Sequence, residues 1–250
     1  MAAMTSITID IAEKRFPAVG AAPAREIFRD FRLEVAAHEF LVLLGASGLG
    51  KTTLLNIVAG LDTRFRGSVR FGMPAPRIGY AFQSPRLLPW RTVLENVVLP
   101  LPSGPASQEA GRAMLEEVGL ADLADAYPER LSLGQQRRVA LARAFVIEPD
   151  VLLMDEPFVS LDEANATRLR ELLRALLHRR AATVLFVTHD GNEAVALASR
   201  IVVLEGTPAQ VARDVEVRLG LLERASPAKV EAFRHTAGLA LAGRERTGTA

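Results

Sequence analysis

Residues 40–52 read FLVLLGASGLGKT, and they carry the strongest indication of the fold. It begins with five consecutive apolar residues, the pattern of a strand that is covered on both faces of a parallel sheet. A glycine-rich loop follows directly, and residues 53–59 continue with a helical pattern. A buried strand, a glycine-rich loop and a helix in this order predict an α/β fold with a phosphate site where the strand ends.

The loop fits the pattern G-x-x-x-x-G-K-[ST], and its residue types suit phosphate chemistry. Glycines let backbone N–H groups converge on phosphate oxygens, and the following helix turns its positive N-terminus toward the same anion. Lys51 supplies a cation for the outer phosphates, and the Thr52 hydroxyl can ligate Mg²⁺. The competing interpretation, a glycine turn with an incidental lysine, leaves this context unexplained. The predicted nucleoside triphosphate site comprises Gly45, Ala46, Ser47, Gly48, Leu49, Gly50, Lys51, Thr52 and Thr53.

Short apolar runs alternate with helical patterns along the chain, which predicts a largely parallel sheet with helices. Strands are predicted at residues 7–11, 31–35, 40–44, 69–71, 78–82, 151–154, 184–187 and 201–204. Helices are predicted at residues 51–59, 109–118, 132–145, 163–179 and 192–198. The first two strands alternate polar and apolar residues, which favours an antiparallel edge region. Residues 84–149 combine prolines with helical patterns, and we expect them to form an inserted helical subdomain.

The composition excludes several kinds of function. The 250 residues carry 30 basic and 29 acidic side chains, which argues against a general binder of nucleic acid. Without cysteine there are no disulfides, thiol nucleophiles or thiolate metal sites, and the four histidines show no metal-ligand spacing. No apolar run reaches the ~18–20 residues needed to cross a bilayer. We therefore expect a soluble chain without a secretory signal, whose membrane role, if any, needs a partner.

Two adjacent carboxylates end the apolar run at residues 151–154. Asp155 suits holding Mg²⁺ through a coordinated water, as in P-loop enzymes generally. Glu156 points to the other side of the strand and is a candidate to polarise an attacking water, although a solvated acid at a strand end is the alternative. His189 closes the next apolar strand, and the carboxyl ends of parallel strands collect ligands at one edge. A purely structural histidine is the alternative there.

Further segments, from about residue 16 to residue 205, resemble the ABC transporter ATPases. Gln83 follows the strand at residues 78–82, and His189 and Phe16 match the family's switch histidine and adenine-stacking aromatic. The signature L-S-G-G-Q is approached by Leu131, Ser132, Leu133, Gly134 and Gln135. The D-loop is matched by Ser160, Leu161 and Asp162. Each motif alone is weak, whereas the ordered set is specific.

The resemblance implies a P-loop NTPase (RecA-like) core with an antiparallel β edge region and an inserted helical subdomain. One cassette would span residues 1–250. The ATP-binding core would comprise residues 1–83 and 150–205, the helical subdomain with the signature residues 84–149, and a short C-terminal extension residues 206–250. Two cassettes would pair head to tail as a homodimer, so that each ATP lies between one subunit's phosphate loop and the other's signature.

The resemblance also implies roles for single residues. Glu156 would be the catalytic base, Gln83 would contact Mg²⁺ or the attacking water, and His189 would contact the γ-phosphate. The Mg²⁺ ligands would be Thr52, Gln83 and Asp155. One residue departs from the family: Leu133 stands where glycine is usual, which puts the rate of hydrolysis in doubt, since glycine allows a closer backbone approach.

Residues 83–93 read QSPRLLPWRTV and look like the coupling region of nitrate/sulfonate/taurine-type importer ATPases. This likeness implies an integral-membrane permease and an extracytoplasmic solute-binding protein as partners, at the cytoplasmic face of the inner membrane. Ordinary packing in the helical subdomain is the alternative for the segment. For the chain, the alternatives are an exporter motor, a soluble ABC ATPase acting on DNA, ribosomes or Fe–S assembly, and a P-loop kinase. Nitrate, sulfonates, taurine and a thiamine-precursor pyrimidine all remain possible solutes.

Overall fold

The structure, a computed structural model, describes residues 5–18, 20 and 23–239. The chain divides into two compact units, one comprising Met1–Pro74 and Thr183–Ala250 and the other Ala75–Ala182. These limits differ from the predicted limits of core and helical subdomain, and the predicted division stays a prediction. In the described residues, no helix has the length and apolarity to cross a membrane.

In the first unit, three antiparallel strands form a sheet in the order β2-β1-β4. Their bounds are β1 Thr5–Phe16, β2 Arg25–Ala36 and β4 Arg66–Phe71. Ile7, Ile9 and Ile11 are buried on one face of β1, opposite buried residues of β2 such as Val35 and Leu33. The segments that alternate polar and apolar residues therefore form the antiparallel region that was predicted. β1 and β2 are both longer than predicted.

The second sheet of this unit is built on β3, Phe40–Leu44. It pairs in parallel with β7, Thr183–Thr188, and with β8, Arg200–Glu205, and β9, Gln210–Glu216, adds an antiparallel strand beyond β8. All six residues of β7 are buried, as its continuous apolar run predicts. The sequence did not predict β9, because six of its seven residues are exposed and three are charged, so it lacks the apolar signal of a buried strand. The helices of the unit are α1 Lys51–Val58, α6 Gly191–Leu197, α7 Leu221–Arg224 and α8 Pro227–Thr236.

The second unit contains two parallel strands, β5 Ile78–Ala81 and β6 Val151–Asp155. Its helices are α2 Val93–Val97, α3 Pro105–Glu117, α4 Leu133–Phe145 and α5 Glu163–Arg179. Short 3₁₀ turns at Ala121–Leu123 and Pro128–Arg130 connect α3 to α4. The sequence predicted the last two helices within a few residues, placed the start of α3 too late and missed α2, which is only five residues long.

Candidate nucleotide-binding site

The loop between β3 and α1 depends on glycine at two positions with left-handed backbone. Gly48 has φ 84° and Gly50 has φ 87°, and Gly50 is also the N-cap of α1. A Cβ atom at Gly50 would lie 2.2 Å from Cγ2 of Ile27, so a side chain is excluded by space as well as by conformation. The glycine pattern of the sequence is thus explained by the path of the backbone.

Lys51 is buried at the start of α1 and is bonded to the loop that precedes it. Its Nζ donates to the carbonyl oxygens of Gly45 at 2.7 Å and Ala46 at 2.9 Å. Thr52 follows with an exposed side chain and Thr53 with a half-buried one. The ammonium and the Thr52 hydroxyl therefore lie beside the N-terminus of α1, where a helix dipole favours an anion.

A second cation, Arg25, contacts the same loop. Its Nη2 donates to the carbonyl oxygen of Gly48 at 2.7 Å. This contact could not be predicted from local sequence, because Arg25 is the first residue of β2, 23 residues before Gly48. The loop thus carries positive charge from two elements.

Phe16, at the end of β1, is 37% exposed, and a buried cation lies close to its ring. The Nζ of Lys14 is 4.7 Å from the ring centroid. The same Nζ donates to Asp62 Oδ2 at 2.6 Å and to the carbonyl of Arg64 at 2.9 Å. Burial by itself would raise the pKa of Asp62, but the hydrogen bonds from Lys14 and from the Arg64 backbone outweigh it and lower this pKa. Sequence reasoning missed Lys14, because a lysine in an alternating strand is expected to face solvent.

His189 follows β7 in the first unit and is half-buried. Its neighbour Asp190 is the N-cap of α6, and its Oδ1 accepts from the backbone N–H groups of Asn192 at 2.7 Å and Glu193 at 3.3 Å. On the other side, the Thr188 hydroxyl donates to Glu193 Oε2 at 2.7 Å. These bonds hold the backbone on both sides of His189.

In the second unit, Asp155 is the last residue of β6 and is 3% exposed. Glu156 follows with φ 44°, a left-handed conformation that is strained for a side chain of its size. Tyr80 lies on β5 beside them, and its burial together with the charge of Asp155 raises the pKa of the Tyr80 hydroxyl. Two carboxylates in succession thus have different surroundings, one buried and one in a strained turn.

Gln83 lies just beyond β5, and its backbone is bonded to the signature helix. Arg137 of α4 donates from Nη1 to the carbonyl oxygens of Gln83 and, at 3.4 Å, of Phe82. Its Nη2 donates to the carbonyl oxygen of Val159 at 3.1 Å. Arg137 thus joins three segments: the Gln83 segment, the helix α4 and the residue before the D-loop. No local sequence pattern predicted this role of Arg137.

The D-loop is a tight turn before α5. Ser160 has φ 64°, and Asp162 is the N-cap of α5, where its Oδ1 accepts from the backbone N–H of Asn165 at 2.9 Å. Leu161 is half-buried between them. The motif that the sequence identified by likeness is therefore also a helix start with a conventional cap.

The signature is the start of α4, as its serine predicts. Ser132 is the N-cap: its Oγ accepts from the N–H of Gln135 at 3.3 Å, and its own N–H donates to Gln135 Oε1 at 2.8 Å. This pair is a capping box, which satisfies donors at the helix terminus. Leu131 is buried, Gly134 is half-buried, and Leu133, the first residue of the helix, is 40% exposed. The departure from glycine leaves the cap intact.

The predicted site residues fall into two groups, one in each unit. The first unit carries Phe16, residues 45–53 and His189, and the second carries Gln83, residues 131–135, Asp155, Glu156 and residues 160–162. Among the described residues, no group of three or more histidine, aspartate and glutamate side chains is arranged to hold a metal ion. The predicted magnesium ligands include one carboxylate only, and Mg²⁺ commonly keeps several water ligands.

A sequence profile of the ABC transporter family matches residues 28–159, more than half of the chain. The chain belongs to the ABC transporter family. The matched range includes the phosphate loop, Gln83, residues 131–135, Asp155 and Glu156. Membership of this family excludes the P-loop kinase that the loop alone left open.

Other members of the ABC transporter family are similar over most of the chain. The aliphatic sulfonates import ATP-binding protein SsuB of Mycobacterium sp. (strain MCS) is 48% identical over 198 residues, which cover 78% of this chain and 80% of that protein. The aliphatic sulfonates import ATP-binding protein SsuB 2 of Frankia alni (strain DSM 45986 / CECT 9034 / ACN14a) is 52% identical over 172 residues, 69% of this chain and 68% of that protein.

A solved structure of a family member has the same fold. It is the dimeric post-hydrolysis state of the ATP-binding cassette MJ0796 bound to ADP and Pi. The two structures superpose with a TM-score of 0.74 and 30% sequence identity, and the aligned region covers 86% of this chain and 100% of the MJ0796 chain. The predicted P-loop NTPase fold is thereby confirmed, and this ABC transporter protein is an ATPase.

Proposed function

We propose that the chain is the ATP-hydrolysing subunit of an ABC importer for aliphatic sulfonates. The observation that carries this proposal is the identity of about one half to relatives named as aliphatic sulfonates import ATP-binding proteins, over two thirds or more of both chains. These names disfavour an exporter motor and a soluble ABC ATPase.

The phosphates of ATP would bind at the loop before α1. Lys51 would exchange its carbonyl partners for phosphate oxygens, which as anions are stronger acceptors. Phe16, which is partly exposed, would stack on adenine, and the nearby ammonium of Lys14 would help to hold its ring in place. The loop and the aromatic both belong to the first unit.

The residues fit a magnesium ion by the chemistry of their donors. Thr52, Gln83 and Asp155 would hold it, since all three present oxygen atoms, and the buried carboxylate of Asp155 favours a nearby cation. When bound, Mg²⁺ would neutralise charge on the phosphates. Thr52 and Gln83 are both exposed residues in the described structure.

Hydrolysis would be a displacement at the γ-phosphorus. The oxygen of water attacks as the bond to the ADP oxygen breaks, and the Glu156 carboxylate takes the proton of the water. Gln83 and His189 would orient the water and the γ-phosphate. Ser132 of a second cassette would face the same phosphate with the positive end of its α4 helix, which completes the site in a head-to-tail homodimer.

The permease would bind at the segment after Gln83. Trp90 is 71% exposed there, and the segment around it is held by the buried side chain of Asn96. The Asn96 amide accepts from the N–H of Leu88 at 2.7 Å and donates to the carbonyls of Leu88, Arg91 and Thr92. A rigid turn that exposes a large aromatic side chain suits docking of a helix. An extracytoplasmic solute-binding protein would deliver the solute, and the chain would lie at the cytoplasmic face of the membrane.

The hydrolytic role is tested by Glu156→Gln. The amide keeps the shape of the side chain but is not a general base, so we expect turnover to fall at least about 100-fold, the lower range for loss of a general base. ATP should still bind and should hold two chains together, which size-exclusion chromatography with light scattering would detect. Normal turnover in this variant would remove Glu156 from its assigned role.

The transport role is tested in host cells that lack the gene for this chain. We expect the chain to restore growth on an aliphatic sulfonate as the sole sulfur source and to recover a multi-span permease from detergent-solubilised membranes. Trp90→Ala should lose the permease but keep ATP binding, and Glu156→Gln should keep the permease but not restore growth. Recovery of ribosomes or DNA, or failure to restore growth on the aliphatic sulfonate, would contradict the proposal.

A further inference from the structure

Arg137 is a buried charged residue that the proposed reaction does not use. It lies on α4, its side chain is 6% exposed, and its guanidinium donates to backbone carbonyls of two separate loops. One loop contributes Phe82 and Gln83 and the other Val159. All of these residues belong to the second unit.

A guanidinium in this position is costly. Burial lowers the pKa of Arg137, yet arginine stays charged at neutral pH, so the charge must be stabilised by its surroundings. The partners are carbonyl dipoles, and the Nε–H has no hydrogen-bond partner among the described residues. An apolar side chain of similar size would fill the space without this cost. What the guanidinium adds is a planar fork of donors that fixes the two loops relative to each other.

The two loops are those that carry predicted site residues. Gln83 itself accepts from the guanidinium, and Val159 directly precedes Ser160 of the D-loop. Arg137 lies five residues after Ser132, about 7.5 Å along the helix axis. One side chain thus connects the signature helix, the Gln83 segment and the D-loop.

A second arginine of α4 strengthens the contact with the first loop. Arg143 donates to the carbonyls of Pro85 at 2.6 Å and Arg86 at 2.9 Å. Arg86 has φ 47°, and Ser160 in the other loop has φ 64°, so both loops contain a left-handed residue that isolated chain segments rarely adopt. The contacts from α4 supply the external support that such backbone requires.

We propose that Arg137 is a positioning residue that locks the Gln83 segment and the D-loop to the signature helix, so that the three segments approach or leave nucleotide as one body. The inference rests on the proposed function, because Gln83 and the D-loop take their roles from it. Arg137 touches neither water nor phosphate in this proposal and acts through the two backbones.

The structural part of the proposal can be measured without nucleotide. The chain contains no cysteine, and Ser84 and Ser160 are exposed serines directly after the Gln83 and Val159 carbonyls. Spin labels on Ser84→Cys and Ser160→Cys would report the distance between the loops by electron paramagnetic resonance. We expect one narrow distance distribution in this parent, a broader one with Arg137→Met, and an intermediate one with Arg137→Lys. The matched control is Arg138→Gln, which replaces a half-buried arginine on the same helix and should leave the distance distribution unchanged.

The functional part is a comparison of kcat with KM in the full chain with native serines. We expect Arg137→Met to lower kcat about tenfold, the lower range for loss of a hydrogen-bonding charged group, with KM for ATP unchanged because the phosphate loop is intact. Arg137→Lys should recover part of kcat. The control variant Arg138→Gln should have the same kcat and KM as the parent.

Three results would overturn the proposal: an unchanged loop distance in Arg137→Met, loosened loops with unchanged kcat, or a loss of kcat that tracks a lower melting temperature in both Arg137 variants. The last would make Arg137 a residue of general stability. A parent chain that hydrolyses no ATP would refute the proposed function instead, and the distance measurement would still decide whether Arg137 holds the loops.

Discussion

Lys14 and Asp62 form a pair in which a lysine that is 1% exposed depends on one carboxylate. The pair lies next to the ring of Phe16, so the same contact links stability and the predicted base-stacking surface. A buried ion pair that loses one partner leaves a charge without compensation. Substitutions at this pair should therefore have large effects on the stability of the folded chain.

We expect Lys14→Met to lower the free energy of unfolding by about 3 kcal/mol at neutral pH, since Asp62 would lose its buried partner. Lys229→Met, which removes an exposed lysine paired with Glu223 at 2.8 Å, should cost less than about 1 kcal/mol. Urea titrations of both variants would measure the difference. Equal effects of the two changes would show that the Lys14 pair behaves as a surface pair.

The effect of Lys14→Met should depend on pH. The pKa of Asp62 is lowered in the folded chain, so its contribution is present above the ordinary aspartate value of about 3.9 and is lost as pH falls through the lowered value. The stability difference between the parent and Lys14→Met should therefore shrink on acidification. A stability difference that grows toward low pH would contradict a lowered pKa of Asp62 in the folded chain.

Leu133 is a residue-scale departure whose effect the structure suggests is small. The capping box uses Ser132 and Gln135, and the Leu133 side chain takes no part in it. We expect Leu133→Gly to keep turnover of the assembled complex within about threefold of the parent, while Ser132→Ala loses the cap and about 1 kcal/mol of stability. A large gain of turnover in Leu133→Gly would show that the leucine hinders the approach of nucleotide.

At the scale of elements, β5 packs against α4 through Gly79. A Cβ atom there would lie 2.4 Å from the carbonyl oxygen of Ala144 and 3.2 Å from Cβ of Pro149. Because the first contact is with the backbone of α4, which cannot easily move away, Gly79→Ala should destabilise the chain by about 1–3 kcal/mol. Gly220→Ala, with φ −69° and nothing nearer than 3.8 Å, is the control and should be close to neutral. Denaturation midpoints would check both, and equal midpoints would refute the close packing.

Sequence reasoning recovered the elements whose signal is local. The apolar runs of β3, β6 and β7, the glycines of the phosphate loop and the cap of α4 each follow from their own residues. It missed β9, whose charged residues form a strand only because β8 offers free backbone groups. Arg25, Lys14 and Arg137 were missed for a related reason, since their partners lie 22 to 55 residues away in the sequence. Such contacts depend on tertiary structure.

At the scale of the whole molecule, the proposed head-to-tail dimer can be tested by mixing inactive variants. Lys51→Ala removes the cation of the phosphate loop, and Ser132→Arg blocks the signature. If each site combines the loop of one chain with the signature of another, a mixed dimer has one site with both parts intact. Random pairing should then restore up to about a quarter of the parent's turnover, whereas each variant alone should stay inactive. No recovery in the mixture would show that each site is built within one chain.

β9 is an edge strand of its sheet, and its charged side chains affect how the chain behaves in a crowded cell. Arg200 of β8 pairs with Asp214 of β9 at 2.6 Å, and Arg213 pairs with Glu205 at 3.2 Å. An edge strand that carries alternating charges discourages the addition of a strand from another molecule, because the newcomer would have to bring complementary charge. The polar character that concealed β9 in the sequence is thus also what protects newly made chains from aggregation through this edge.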